Sequence, residues 1–134
     1  METMKLKYTG ELRTQSTHSA SGITIITDAP VDNHGKGEAF SPTDLLCSSL
    51  ASCMLTIMGI TANTHAIKIE GTSVIVTKIM AANPRRVGEV KLEFFMPPNN
   101  FSEKEKVLLE NAARTCPVAK SLNAELIQTI SFNY

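Results

Sequence analysis

Three cysteines, Cys47, Cys53 and Cys116, are the residues of this chain best suited to covalent chemistry. A thiolate is both a nucleophile and a metal ligand, and its reactivity follows its pKa. None of the three stands in a Cys-x-x-Cys pair. So odd and sparse a set fits free thiols in a reducing compartment, and hence the cytoplasm, better than a secreted disulfide framework. Cys47 comes two residues after Leu45 on an apolar segment without a partner motif, and reads as a small buried hydrophobe. Cys53, taken alone, reads equally as a buried hydrophobe or as a nucleophile. Cys116 precedes Pro117 at a helix start, where exposed N–H groups favour thiolate; by that dipole alone it is the more reactive of the two.

Other chemistries find less support. His18, His34 and His65 fall in separate elements, with no Cys or His at ligand spacing, so no metal site is expected. His65 instead suits the negative end of a helix dipole. Gly35-Lys36-Gly37 lacks the strand–loop–helix context of a phosphate loop, and no nucleophile-elbow serine motif occurs. No cofactor is implied. Lys plus Arg and Asp plus Glu number 13 each, so no net field recruits nucleic acid or anionic membrane. The amino-terminal METMKLKYTG has no apolar core of a secretory signal.

The element that must position these thiols is SPTDLLCSSLASCMLTIMGITANT, residues 41–64, which carries no charge after Asp44. Ser41 is placed as N-cap, Pro42 at the first helical position, and Asp44 as the third residue of a capping box. Phe40 and Leu45 stand at the positions of a hydrophobic staple. A helix apolar on nearly every side is buried or spans a bilayer. Here Ser48, Ser49, Ser52, Thr56, Thr61 and Asn63 bring its hydrophobicity below that of a typical span, so a packed central helix is expected and no membrane is.

Around it the chain reads as a single α+β domain, 1–134, of order βββ-α-ββ-αα-β. Residues 4–8, 12–17 and 23–28 form three short strands, and a Gly-, Asp- and Asn-rich loop to Ala39 follows them. A strand from Ile67 to about Met80 is expected to bulge at Gly71. In the next strand Val90, Leu92, Phe94 and Met96 alternate with Glu89, Lys91 and Glu93. Ser102 and Glu105 predict a capping box for a helix to about Thr115, with Val107, Leu108, Ala112 and Thr115 as its apolar stripe. A short helix over 117–122 and a last alternating strand through Leu126, Ile130, Phe132 and Tyr134 complete the order.

Taken together, SPTDLLCSSLASCMLTIMGI and the later TCPVAKSL resemble the OsmC/Ohr family of osmotically inducible and organic hydroperoxide resistance proteins. The resemblance spans the chain and implies an intertwined homodimer built on its central helices. It implies a thiol peroxidase for organic hydroperoxides, with Cys53 as peroxidatic and Cys116 as resolving cysteine, restored by an external dithiol. It also implies an activating arginine from the N-terminal strands, for which Arg13 is the positional match. The pattern departs in one place: peroxidase members carry a glutamate after the helix-start proline to orient that arginine, and this chain has Thr43, followed by Asp44. A non-catalytic relative that senses oxidation or binds a small molecule is the alternative reading. Cys47 and Cys53 are excluded as a bridge, because six residues of helix separate them by about 9 Å, beyond the reach of a disulfide.

Overall fold

In the computed structural model, which describes residues 1–134, contacts group the chain into two units, Met1–Leu46 and Cys47–Tyr134. The first unit is an antiparallel sheet in the order β1 (Met4–Gly10), β2 (Arg13–His18), β3 (Thr24–Asp28). β1 and β2 are joined by the two residues Glu11 and Leu12, both left-handed, with φ of 54° and 61°. A two-residue hairpin favours this geometry because its twist matches the strands, but Asn or Gly normally supplies it. The local strain is opposed by hydrogen bonds: Leu12 N–H donates to the Tyr8 hydroxyl (3.2 Å), and Ala29 N–H donates to the Leu12 carbonyl (3.0 Å).

After β3 the chain makes a 3-10 turn at Val31–Asn33 and doubles back. Gly35 lies so close to Ala29 that a Cβ there would sit 1.8 Å from the Ala29 carbonyl oxygen, so only glycine fits. Gly37 N–H donates to that same carbonyl (3.2 Å), and Asp28 N–H donates to the Phe40 carbonyl (3.2 Å). The polar loop is therefore a closed structure that returns the chain to the foot of β3.

There the central helix α1 begins, Pro42–Thr64. Its cap is as expected: Asp44 N–H donates to Ser41 Oγ and Ser41 N–H to Asp44 Oδ2, both at 3.0 Å. Phe40 remains exposed, so the anticipated staple adds little. At the other end the His65 ring Nδ1 lies 3.0 Å from the Thr61 carbonyl, at the dipole's negative end.

The second unit packs one stripe of α1 as its core. Cys47, Leu50, Ala51, Met54, Met58 and Ala62 recur every three or four residues and are buried. They share a core with Val90, Leu92 and Phe94 of β5 (Arg86–Phe95), the middle strand of a sheet ordered β4 (Ser73–Ala81), β5, β6 (Ile127–Asn133). β4 and β5 are antiparallel; β5 and β6 are parallel, as the crossover through α2 (Glu103–Arg114) and α3 (Pro117–Ser121) requires. The expected alternation of β5 holds.

Two local expectations fail. Gly71 sits in a turn before β4, which starts at Ser73 rather than Ile67. The bulge falls instead where Ile79 pairs Glu89 and Met80 pairs Val87, leaving Gly88 as the extra residue. In α2 the Ser102–Glu105 capping box is present, but the buried face is Leu109 and Ala113, while Val107 is exposed. Reading the stripe from Val107 displaced it because Leu108 and Leu109 are equally apolar and only packing chooses between them. Accordingly, Leu109→Ala should cost about 2–5 kcal/mol in urea unfolding, and Val107→Ala less than about 0.5 kcal/mol. Equal costs would contradict the assigned face.

Candidate active site

α1 carries two of the three thiols. Cys47 lies on the buried stripe with 3% of its surface open and is part of the core. Cys53 is turned away from that position, packs against the edge of the same core and stays partly accessible. Cys116 caps α3: its Sγ accepts the Ala119 N–H at 3.3 Å, and Pro117 fills the first helical position. Cys53 is near enough to Cys116 to influence its titration, and both are free thiols. Of the three candidate site residues, these two are brought together.

The environment of Cys116 reverses the expectation drawn from the helix dipole. It is fully buried, and burial pushes its thiol above the ordinary cysteine value. The Ala119 N–H works the other way without prevailing, and the neighbouring Cys53 adds to the upward shift. Desolvation opposes the anion more strongly than a single turn of short helix supports it. Cys116 is thus held as a protonated thiol beside a more accessible partner.

Arg13, the third candidate, opens β2 in the N-terminal unit. Its Nε donates to Asp28 Oδ1 at 2.6 Å and its Nη2 to Asp28 Oδ2 at 2.8 Å, a two-pronged pair across neighbouring strands. Nη2 also reaches Glu38 Oε1 at 3.2 Å. Asp28 has none of its surface open to solvent, and its Oδ2 accepts the Glu38 N–H at 3.1 Å. The Arg13 guanidinium holds the Asp28 carboxyl below its ordinary value against the opposing effect of burial; Asp28 in turn raises Arg13. Asp28 and Glu38 were not among the candidates from sequence. A register centred on the Ser19–Gly22 turn would have revealed Asp28, because it sets residues 13 and 28 opposite each other on one face. Thr43 makes a 3.2 Å hydroxyl contact with Ser41 at the start of α1, and Asp44 is engaged in the cap.

This geometry can be set beside known proteins. A family model for OsmC-like proteins matches residues 35–130. The chain belongs to the OsmC/Ohr family. A crystal structure from Psychrobacter arcticus 273-4, described provisionally as an osmotic stress induced and detoxification response protein, is 53% identical. The match covers 99% of this chain and 96% of that one, with a TM-score of 0.95. An organic hydroperoxide resistance protein OsmC from Legionella pneumophila shares the fold at 19% identity, over 100% and 98% of the two chains (TM-score 0.76). The organic hydroperoxide resistance protein of Elizabethkingia anophelis, solved with thiocyanate bound, does so at 16% identity over 99% and 96% (TM-score 0.75). None of the curated proteins matches the chain. The α+β architecture read from the sequence is that of this OsmC/Ohr fold.

The buried ion pair gives a pH test. Asp28 titrates lower in the folded chain than in the unfolded one, so on acidification the unfolded chain binds the proton first. The stability the pair contributes is complete above the ordinary carboxylate value, near 3.9, and is lost as pH falls through the depressed folded value. Asp28→Asn should therefore flatten the acid limb of stability against pH in urea unfolding. An unchanged acid limb would contradict the assigned pair.

Proposed function

We propose that the chain is a thiol peroxidase for organic hydroperoxides, with Cys53, Cys116 and Arg13 as its working residues. The observation that carries this reading is a partly accessible free thiol, Cys53, neighbouring a buried one, Cys116. Such a pair is suited to a two-step oxidation. Cys53, as thiolate, attacks the distal oxygen of R–O–O–H; the O–O bond breaks, and with one proton taken up the alcohol ROH leaves and Cys53 becomes a sulfenic acid. Cys116 then condenses with that sulfenic acid, forming the disulfide and releasing water. An external dithiol returns both thiols by exchange and is itself oxidised to a disulfide.

Each residue has a role that its chemistry supports. Arg13 supplies the cation that a partly buried thiolate needs, and the apolar surface of α1 suits the alkyl part of the peroxide. The burial of Cys116 keeps it from competing as the first nucleophile. Free thiols of this kind fit a reducing compartment such as the cytoplasm. Family membership supports the reading at the level of peroxide detoxification, and the names of the Legionella and Elizabethkingia relatives point to organic hydroperoxides.

The working unit in this proposal is a homodimer. Met4, Leu6, Tyr8, Ile23 and Ile25 share one face of the N-terminal sheet and are exposed, as are Leu46 and Ile60 of α1. Apolar surface of this extent calls for cover, and a second copy supplies it. Light scattering at micromolar concentration should give twice the chain mass; a monomer would contradict the dimer.

Titration of the reduced protein with an alkyl hydroperoxide, followed by peptide mapping, should link Cys53 to Cys116 and leave Cys47 reduced. Cys116→Ser should halt the reaction at the Cys53 sulfenic acid. A bridge through Cys47, or no bridge, would overturn the assignment.

A further inference from the structure

We propose that a cavity between the end of α1 and the start of α2 binds a small zwitterion, a free amino acid or short peptide with an apolar side chain. The site lies wholly within the second unit and uses none of the thiols. Thr64, where α1 ends, is eleven residues beyond Cys53, roughly 16 Å along the helix.

Residues 66–68 form one wall of the cavity, and residues 98–101 with Glu105 form the other, around a volume of about 450 Å³. That volume suits a small-molecule ligand. Both walls are fixed. Asn99 Nδ2 donates to the Lys68 carbonyl at 2.9 Å, tying them together across 31 residues of chain. Ile67 is buried, and its N–H donates to the Ala62 carbonyl at 2.8 Å, which anchors the first wall on the end of α1. On the second wall, the Phe101 ring packs against the core and meets Tyr134 edge-on, with centroids 5.6 Å apart. Walls set before a ligand arrives spare it the cost of ordering them.

The polar groups on these walls carry both signs. Lys68 gives its carbonyl to Asn99 but its ammonium to no group of the chain, and the Asn100 amide is likewise unpaired. Glu105 is half-buried and held in its capping box, where Oε1 accepts the Ser102 N–H at 2.9 Å. Its Oε2 remains to accept a further donor. A simple anion would meet the charge of Glu105 here, and a simple cation that of Lys68. A zwitterion satisfies both: its carboxylate accepts from Lys68 and Asn100, and its ammonium donates to Glu105. Capture of a chain-terminal carboxylate or amine is a recurrent mode of peptide recognition. Pro98 and Phe101 offer apolar surface to the side chain.

The test is an amide NMR titration of the full-length protein with three probes. L-phenylalanine carries both charges, phenethylamine lacks the carboxylate, and hydrocinnamate lacks the ammonium. L-phenylalanine should give saturable shifts at residues 66–68 and 99–101, and each analogue should bind about two- to fivefold more weakly. Lys68→Met should weaken L-phenylalanine and hydrocinnamate by that factor without weakening phenethylamine. Glu105→Gln keeps a capping-box acceptor and removes only the charge. It should weaken L-phenylalanine and phenethylamine by a like factor and spare hydrocinnamate. Without saturable L-phenylalanine shifts at these amides, or with shifts indifferent to both substitutions, the site would be overturned. Hydrocinnamate binding as tightly as L-phenylalanine would make this a plain anion site and overturn the zwitterion assignment.

Discussion

A carboxylate with no access to water must be met by a cation and by hydrogen-bond donors, and in the N-terminal unit that requirement falls on Asp28. It is met by Arg13 across the β2–β3 ladder and by the backbone of Glu38. The consequences spread in both directions along the chain. Towards the N-terminus, Arg13 opens β2 directly after the left-handed Glu11–Leu12 turn, and Ala29, next to Asp28, donates its N–H to the Leu12 carbonyl. Towards the C-terminus, it holds the loop that doubles back through Gly35 and delivers Ser41 to the cap of α1. Removing Arg13 would leave Asp28 buried without its cation, whereas Arg13, partly exposed and also in contact with Glu38, would keep a partner if Asp28 were lost.

The second unit depends on a different constraint: α1 must bury one stripe against β5, and the rest of its circumference follows from that. With Leu50, Met54 and Met58 committed to the core, Cys47 goes in with them while Cys53 is left at the margin. The two thiols of one helix thereby acquire different fates. The Cys-Pro start of α3 brings a second sulfur to Cys53, and burial keeps that sulfur protonated. A buried thiol beside an accessible one is a poor first nucleophile and a well-placed second, which is the order the proposed chemistry requires.

Much of this was legible in the sequence, for physical reasons. Capping residues act locally, so Ser41–Asp44 and Ser102–Glu105 announced both long helices. The alternation in β5 is a two-residue period that only a strand satisfies. What stayed hidden depended on partners distant in sequence. The buried face of α2 is chosen between Leu108 and Leu109 by packing. The bulge at Gly88 arises from the β4–β5 register and not from any property of Gly71. The upward shift of the Cys116 thiol turned on burial, which a dipole argument from Cys-Pro does not contain. Asp28 was invisible as the partner of Arg13 because only the cross-strand register sets the two opposite each other.

The central claim is that the Cys53–Cys116 pair turns over, and sustained catalysis tests it more directly than a single oxidation does. The measurement is steady-state consumption of an alkyl hydroperoxide with a dithiol as reductant, comparing the wild-type chain with Cys53→Ser. The wild-type chain should reduce many peroxide molecules, and Cys53→Ser none above the uncatalysed rate. A wild-type protein that oxidises once and stops, or a Cys53→Ser variant that keeps working, would contradict it.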